Sequence, residues 1–316
     1  MSQNKIIVIA GPTASGKSAL AIDIALEVDG VVINCDSMQV YKHTPIISAC
    51  PDQKDKDTVE HRLFEIYEPN VKGNVVDWLN LAVKEIKQVW EQNKIPVIVG
   101  GTGLYIDNLI NGTTPIPETP KEIREKIANI LKEKGCLYLH QMLKNIDCES
   151  AKKISPNDTT RLLRAIEVFE HTKIPLSVWH LKPMIKKLPQ AEFFVIKICP
   201  CAEELDKRCY LRFDKMIEAG ALEEIKFLHS LNLDDKLPAM KALGVPELME
   251  YVKGKCSLKE AVNNAKLHTR QYAKRQRTWF KNKLKADIEL PNCYLGNFEN
   301  ISPHLNNFIN KKPLNN

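Results

Sequence analysis

The chain has 316 residues, 44% hydrophobic and 27% charged, with a formal net charge of +6 at pH 7. That length holds one large core plus a smaller domain, and the apolar content excludes an intrinsically disordered chain. The apolar run at residues 6–10 is too short for a membrane span or a signal segment, and the nine cysteines show no paired metal-ligand spacing. The expectation is therefore a cytoplasmic protein with reduced thiols and no membrane partner.

Residues 5–10 form a β-branched strand that runs into Gly11-Pro12-Thr13-Ala14-Ser15-Gly16-Lys17-Ser18, a Walker A sequence, and the apolar-periodic stretch after it is a helix to about residue 28. Gly11 and Gly16 let the backbone curl so that its amides face phosphate oxygens. Lys17 supplies a point charge, and the Ser18 hydroxyl can hold Mg²⁺. The loop suits a diphosphate group but does not say which phosphate compound it takes. A strand at 31–35 follows, then an irregular region with Pro45, Pro51 and Pro69, a helix at 75–92 and a strand at 96–99. Such alternation indicates a parallel sheet covered by helices.

Gly100-Gly101-Thr102-Gly103 makes a tight turn into a short helix at 104–109. From 113 to 189 the rhythm breaks: Pro115, Pro117 and Pro120 open a segment with helical periods only, including 121–134 and 158–171. Strand character returns at 193–198, so the sheet resumes after a helical insert. Helices at 202–218 and 222–230 and a long one at 258–285 follow, and the tail beyond Pro291 is Asn-rich and weakly patterned. The expected fold is α/β, a P-loop parallel sheet flanked by helices with an inserted all-helical domain. Its catalytic core spans 1–114 and 191–290, the insert 115–190, and the tail 291–316.

Asp36 ends the second strand at the same sheet edge as the phosphate loop, where parallel sheets bind ligands. A carboxylate there reads as a Mg²⁺ ligand, as a general base, or as ordinary turn chemistry. Thr102 reads first as a helix N-cap. Arg208 and Arg212, four apart on one helical face, suit a diphosphate or a solvated surface equally. Lys266, Arg270, Lys274, Arg277 and Lys281 line one face of the long helix, beside a largely apolar stripe of Ala265, His268, Tyr272 and Trp279. Between residues 253 and 285 there are eleven Lys or Arg and one acid, Glu260, which points to a polyanion-binding face. Such a chain fits group transfer onto nucleic acid, and a phosphotransferase or nucleic-acid-dependent ATPase almost as well.

The phosphate loop, Asp36-Ser37-Met38-Gln39-Val40-Tyr41, Gly100-Gly101-Thr102-Gly103-Leu104-Tyr105 and Arg270-Gln271-Tyr272-Ala273-Lys274-Arg275-Gln276-Arg277-Thr278-Trp279-Phe280 occur in that order. Pro156-Asn157-Asp158 leading to Arg161 and Arg164, and Arg212-Phe213 before Met216 and Gly220, add to them. Together they resemble the tRNA dimethylallyltransferase family, bacterial type, from about residue 5 to 283. The final thirty residues carry no family signal.

The resemblance implies transfer of a dimethylallyl group from dimethylallyl diphosphate to N6 of the adenosine just 3′ of a tRNA anticodon, with release of diphosphate. Mg²⁺ is the implied cofactor, with Ser18 its ligand, and the anticodon stem-loop is the implied partner; a monomer is expected. Asp36 matches the family base and Thr102 the contact to the target nucleotide. Lys17, Arg212 and Arg208 join the loop at the diphosphate. Asp36, Ser37, Met38, Gln39, Thr102, Arg124, Thr160, Arg161, Leu162, Leu163, Arg164, Lys241, Lys274, Arg275, Gln276, Arg277 and Lys281 match tRNA contacts. His61 reads as structural. Two segments depart from the family pattern: Thr44-Pro45-Ile46-Ile47-Ser48-Ala49-Cys50-Pro51, where the family reads close to Asp-Ile-Gly-Thr-Ala-Lys-Pro, and Met240-Lys241-Ala242-Leu243-Gly244-Val245-Pro246, where it is more basic. The competing readings are a P-loop kinase and a prenyltransferase acting on a free adenine nucleotide.

Overall fold

The computed structural model describes residues 4–311. Its contacts separate two units, one built from the chain up to Ile110 and from Leu188 onward, the other from Asn111–Lys187.

In the first unit, strands β1 (Lys5–Ala10), β2 (Gly30–Asn34), β3 (His61–Arg62), β4 (Ile95–Gly100), β5 (Glu192–Ile198) and β6 (Ile288–Leu290) form one sheet in the order β3-β2-β4-β1-β5-β6. Every neighbouring pair is parallel. Every residue of β1, β2 and β4 is buried, which is why these strands read as continuous apolar runs rather than alternating ones. The helices between them are α1 (Lys17–Glu27), α2 (Pro45–Ser48), α3 (Gln53–Thr58), α4 (Val75–Glu91) and α5 (Gly103–Asn111).

The second unit holds α6 (Lys121–Ile146), α7 (Cys148–Lys153), α8 (Thr159–Thr172) and α9 (Leu176–Trp179). They pack around Ile127, Leu139, Leu143, Leu162, Ile166 and Trp179. Thr113 and Ile185 exchange backbone hydrogen bonds of 3.1 and 2.9 Å that draw the unit's two ends together. The helix expected at 121–134 does break there, because Gly135 takes φ +78°, but the chain resumes helix to Ile146. A Cβ on Gly135 would touch nothing within 4 Å, so the glycine answers to backbone conformation alone.

After the insert the chain re-enters the sheet beside β1, pairing Lys5 with Glu192 through Ala10 with Lys197. Helices α10 (Ala202–Glu218), α11 (Ala221–Ser230), α12 (Val245–Val252), α13 (Leu258–Lys283) and α14 (Ser302–Asn310) follow. Glu260, the lone acid of the basic stretch, belongs to a capping box with Ser257 that starts α13. One face of the sheet packs Ile6, Val8, Val31, Ile33 and Ile98 against Trp78 and Ile86 of α4 and Phe280 of α13. The other packs Ile7, Ile9, Val97 and Val99 against Leu20 and Ile24 of α1 and against Tyr294, Ile301 and Leu305. The weakly patterned tail thus supplies core side chains, and α14 forms within it. Among the described residues no helix is long and apolar enough to cross a membrane.

Candidate active site

The order β2-β4-β1-β5 puts four consecutive strand ends side by side, and each leads into a segment with chemical groups. After β1 comes the phosphate loop. Gly16 takes φ +91° as it opens α1, and Ala14 takes φ +63°. The loop's own carbonyls and hydroxyls hold its cations: Lys17 Nζ donates to Pro12 O (2.8 Å), Arg208 Nε to Ala14 O (2.9 Å), and Arg212 to Thr13 Oγ1. Burial pushes the Lys17 ammonium down to about 8, against the pull of Asp36. Burial also lowers the Arg212 guanidinium from its ordinary value. Ser15 Oγ is buried and has no hydrogen-bond partner among the described residues, a donor left over inside the cradle.

After β2, buried Asn34 organises the turn. Its Oδ1 accepts from Asp36 N (2.8 Å), and its Nδ2 donates to Leu63 O (3.0 Å) and Asp36 O (3.1 Å). Asp36 Oδ1 accepts in turn from Met38 N (2.9 Å). The turn and functional readings of Asp36 therefore divide between its two oxygens. Oδ1 holds the turn, while Oδ2 faces Gly101, where an added Cβ would lie 3.4 Å from it.

After β4, Gly100, Gly101 and Gly103 all keep negative φ, so their smallness serves close approach rather than a left-handed turn. A Cβ would come 1.9 Å from Cys35 O at Gly100, 2.4 Å from Gln276 Nε2 at Gly101, and 2.4 Å from the Trp279 ring at Gly103. Thr102 does not use its hydroxyl as an N-cap. Its Oγ1 accepts from Ser37 N (3.0 Å) and donates to Ser37 Oγ (3.3 Å), tying the β4 loop to the β2 loop.

After β5, α10 carries Arg208 and Arg212 to the loop, and Lys215, which the sequence reading missed, lines the same space. A cavity of about 400 Å³ lies over Ser15, Gly16, Lys17 and Ser18, walled by Arg208, Arg212 and Lys215. A neighbouring cavity of about 330 Å³ shares Arg212 and is lined by Thr13, Asp36, Ser37, Lys241, Tyr272 and Arg275 on its polar side. Ile47, Phe213, Met216 and Leu243 line its apolar side. Burial and the nearby Asp36 raise the Tyr272 phenol, so it stays protonated.

Two residues matched to tRNA contacts lie buried. Leu162 is 0% exposed in the core of the second unit, so its side chain has no surface to offer. Gln276 is buried, accepts from Thr13 N (2.8 Å) and donates to Gly101 O (2.9 Å), clamping the phosphate loop to the β4 loop. The signal was present, since Gln276 falls on the α13 positions that turn inward with Ala261, Ala265, Thr269, Ala273 and Phe280. Of the apolar stripe, Ala265 is buried, Trp279 packs against the core and Tyr272 lines the cavity, while exposed His268 pairs with Glu247.

The basic face of α13 also differs from the expectation. Lys266 pairs with Asp214 (2.6 Å) and Arg270 with Asp206 (2.8 Å), both acids of α10. Lys274, Arg277 and Lys281 instead line a groove of about 320 Å³ with no ion pair recorded among the described residues. In the second unit, Thr160 is exposed at the start of α8 and Leu163 is half-buried. Arg124 pairs with Glu118 and Arg161 with Asp158 (3.4 Å each), while Arg164 donates to Thr119 Oγ1 (3.1 Å). Gln39 donates to Ser48 O (3.1 Å) and Ala49 O (2.6 Å). Those two bonds, with Glu224 accepting from Ile46 N (2.7 Å) and Ile47 N (2.9 Å), seat the departing segment 44–51 so that Ile47 lines the cavity. His61 holds Val59 O (2.9 Å), and burial lowers its imidazole.

The IPP transferase family model matches residues 39–283. The chain is 41% identical over 281 residues to a tRNA dimethylallyltransferase of Rhodospirillum centenum, covering 89% of this chain and 90% of that one. It superposes with a TM-score of 0.69 on the tRNA isopentenylpyrophosphate transferase of Bacillus halodurans, at 30% identity over 97% of this chain and 96% of that one. A eukaryotic dimethylallyltransferase acting on tRNA gives a TM-score of 0.84 at 29% identity, covering 99% and 81%.

Proposed function

The chain belongs to the IPP transferase family, and from that premise we propose that it transfers a dimethylallyl group from dimethylallyl diphosphate to N6 of the adenosine 3′ of a tRNA anticodon, releasing diphosphate. It is a tRNA-modifying prenyltransferase. The observation that carries the finer reading is the convergence of the phosphate loop, Asp36 and Arg212 on two cavities that share Arg212, with Thr102 bonded to Ser37 on the wall of the second.

The diphosphate lies over the phosphate loop, where Lys17, Arg208, Arg212 and the α1 N-terminus meet its charge and the unpartnered Ser15 hydroxyl finds an acceptor. The isoprenoid points into the neighbouring cavity toward Ile47, Phe213, Met216 and Leu243. An allylic C–O bond breaks with carbocation character, so donors fixed around the leaving oxygens lower the barrier. Among the described residues no group of three or more His, Cys, Asp or Glu could hold a metal, but the exposed Ser18 hydroxyl beside the cradle fits a cation whose other ligands are phosphate oxygens. Mg²⁺ bound there by Ser18 would supply further neutralisation of the leaving group.

The target adenine leaves the anticodon stack at a cost of roughly a few kcal/mol, smaller in a loop than in a duplex. Its N6 lone pair is delocalised into the ring, so removal of a proton as the N–C bond forms makes it a nucleophile. Asp36 Oδ2, which does not hold the turn, takes that proton. Thr102 and Ser37 contact the target nucleotide. Lys241, Arg275, Lys274, Arg277 and Lys281, with cations of the insert, contact the anticodon stem-loop. One chain supplies every group at the catalytic site, so a monomer suffices, and the cytoplasm is its place of work.

Incubation with Mg²⁺, labelled dimethylallyl diphosphate and unmodified tRNA, with ATP omitted, tests the reading. The expected result is label in the tRNA that disappears when the adenosine 3′ of the anticodon is replaced. Phosphate transfer from ATP with no label in tRNA would overturn it and restore the kinase.

A further inference from the structure

The phosphate loop is braced from behind by a segment that lies past residue 283. Tyr294 N donates to Ser15 O (3.0 Å), Cys293 N donates to Glu204 Oε1 on α10 (3.2 Å), and the Tyr294 hydroxyl donates to Asp23 on α1. The two backbones approach so closely that a Cβ on Gly16 would lie 2.5 Å from Tyr294 O. Gly16 is thus constrained twice, by its φ of +91° and by the chain crossing it. Cys293 and Tyr294 are 6% and 5% exposed.

The segment is tied at both ends. Upstream, β6 pairs with β5. Downstream, Ile301 and Leu305 enter the sheet's core and Ser302 Oγ donates to Glu27 on α1 (2.9 Å). Gln276 holds the loop at Thr13 and Arg208 holds it at Ala14, whereas Tyr294 holds Ser15, next to the amides that open α1. Nothing in the proposed chemistry uses Cys293 or Tyr294 directly.

We propose that residues 293 and 294 form a positioning strap that fixes the Ser15–Gly16 end of the phosphate loop in its diphosphate-binding shape. The inference rests on the reading of that loop as the diphosphate site. A loop held in shape before the ligand arrives loses less freedom on binding, so the strap acts on diphosphate affinity and not on tRNA affinity.

The test uses Tyr294→Ala and Tyr294→Phe in the full chain, with inorganic pyrophosphate as the probe, tRNA binding in parallel, and amide hydrogen exchange read separately for residues 11–19 and 95–100. Tyr294→Ala keeps the backbone donor to Ser15 O but removes the buried ring and the hydroxyl clip to Asp23 that hold that backbone in place. It is expected to weaken pyrophosphate binding about tenfold and to speed exchange in 11–19 alone, with tRNA binding unchanged. Tyr294→Phe keeps the ring, loses only the clip to Asp23, and is expected to weaken pyrophosphate about two- to threefold. A folded Tyr294→Ala with wild-type pyrophosphate affinity and loop exchange overturns the strap. If that variant does not fold, Tyr294→Phe with both unchanged overturns it. A wild-type protein that fails to bind pyrophosphate refutes the diphosphate reading, and the strap with it.

Discussion

The phosphate cradle and the outer face of α13 are both rich in cations, yet they hold them in opposite ways. In the cradle, Lys17, Arg208 and Arg212 are each fixed by a carbonyl or hydroxyl of the loop they serve, and Lys17 and Arg212 are shifted by burial. On α13, Lys274, Arg277 and Lys281 stand along an open groove, and their neighbours Lys266 and Arg270 are already occupied by acids of α10. Fixed, partly dehydrated charge acts strongly on one small group, whereas solvated charge acts weakly and additively on a polyanion. The cradle therefore suits a leaving diphosphate and the face suits an RNA backbone.

Mutations should separate the two regions by size of effect. Asp36→Ala is expected to lower kcat by about 10²- to 10⁴-fold, the usual worth of a general base, in single-turnover assays with tRNA binding intact. Arg212→Ala should cost about 10²-fold in kcat/KM for dimethylallyl diphosphate, as for a lost donor to a developing anion, with tRNA affinity again unchanged.

The cradle should also titrate. Because burial favours the neutral Lys17 amine, the cation that we propose for the diphosphate is present below about 8 and lost above it. The kcat/KM for dimethylallyl diphosphate should accordingly fall as pH rises through about 8, and Lys17→Arg, which stays charged, should flatten that fall. The smallest effects belong to α13. Arg277→Ala or Lys281→Ala should each reduce the salt slope of tRNA binding by about 1, while Lys266→Ala should barely change it. Equal slopes for all three would erase the distinction between paired and free cations.

Much of the fold was legible because the sheet's central strands are apolar throughout and the phosphate loop has a fixed spacing. The short pieces were not: β3 and β6 have two and three residues, too few to show a period. The α13 cations were misjudged because charge was counted along the chain, while Asp206 and Asp214 reach Arg270 and Lys266 from another helix. The strand-end rule put Asp36 at the sheet edge, but only the structure shows Oδ1 holding the turn and Oδ2 facing Gly101. Gln276 was read only as a tRNA contact and Tyr294 not at all, since each acts on the loop across more than 260 residues of chain.

The most direct measurement is the stoichiometry of the reaction itself: diphosphate released against dimethylallyl groups incorporated, in one reaction with tRNA and without ATP. The account predicts one diphosphate per group transferred, and neither product when the adenosine 3′ of the anticodon is replaced. Incorporation without diphosphate release, or diphosphate release that ignores the target adenosine, would contradict it.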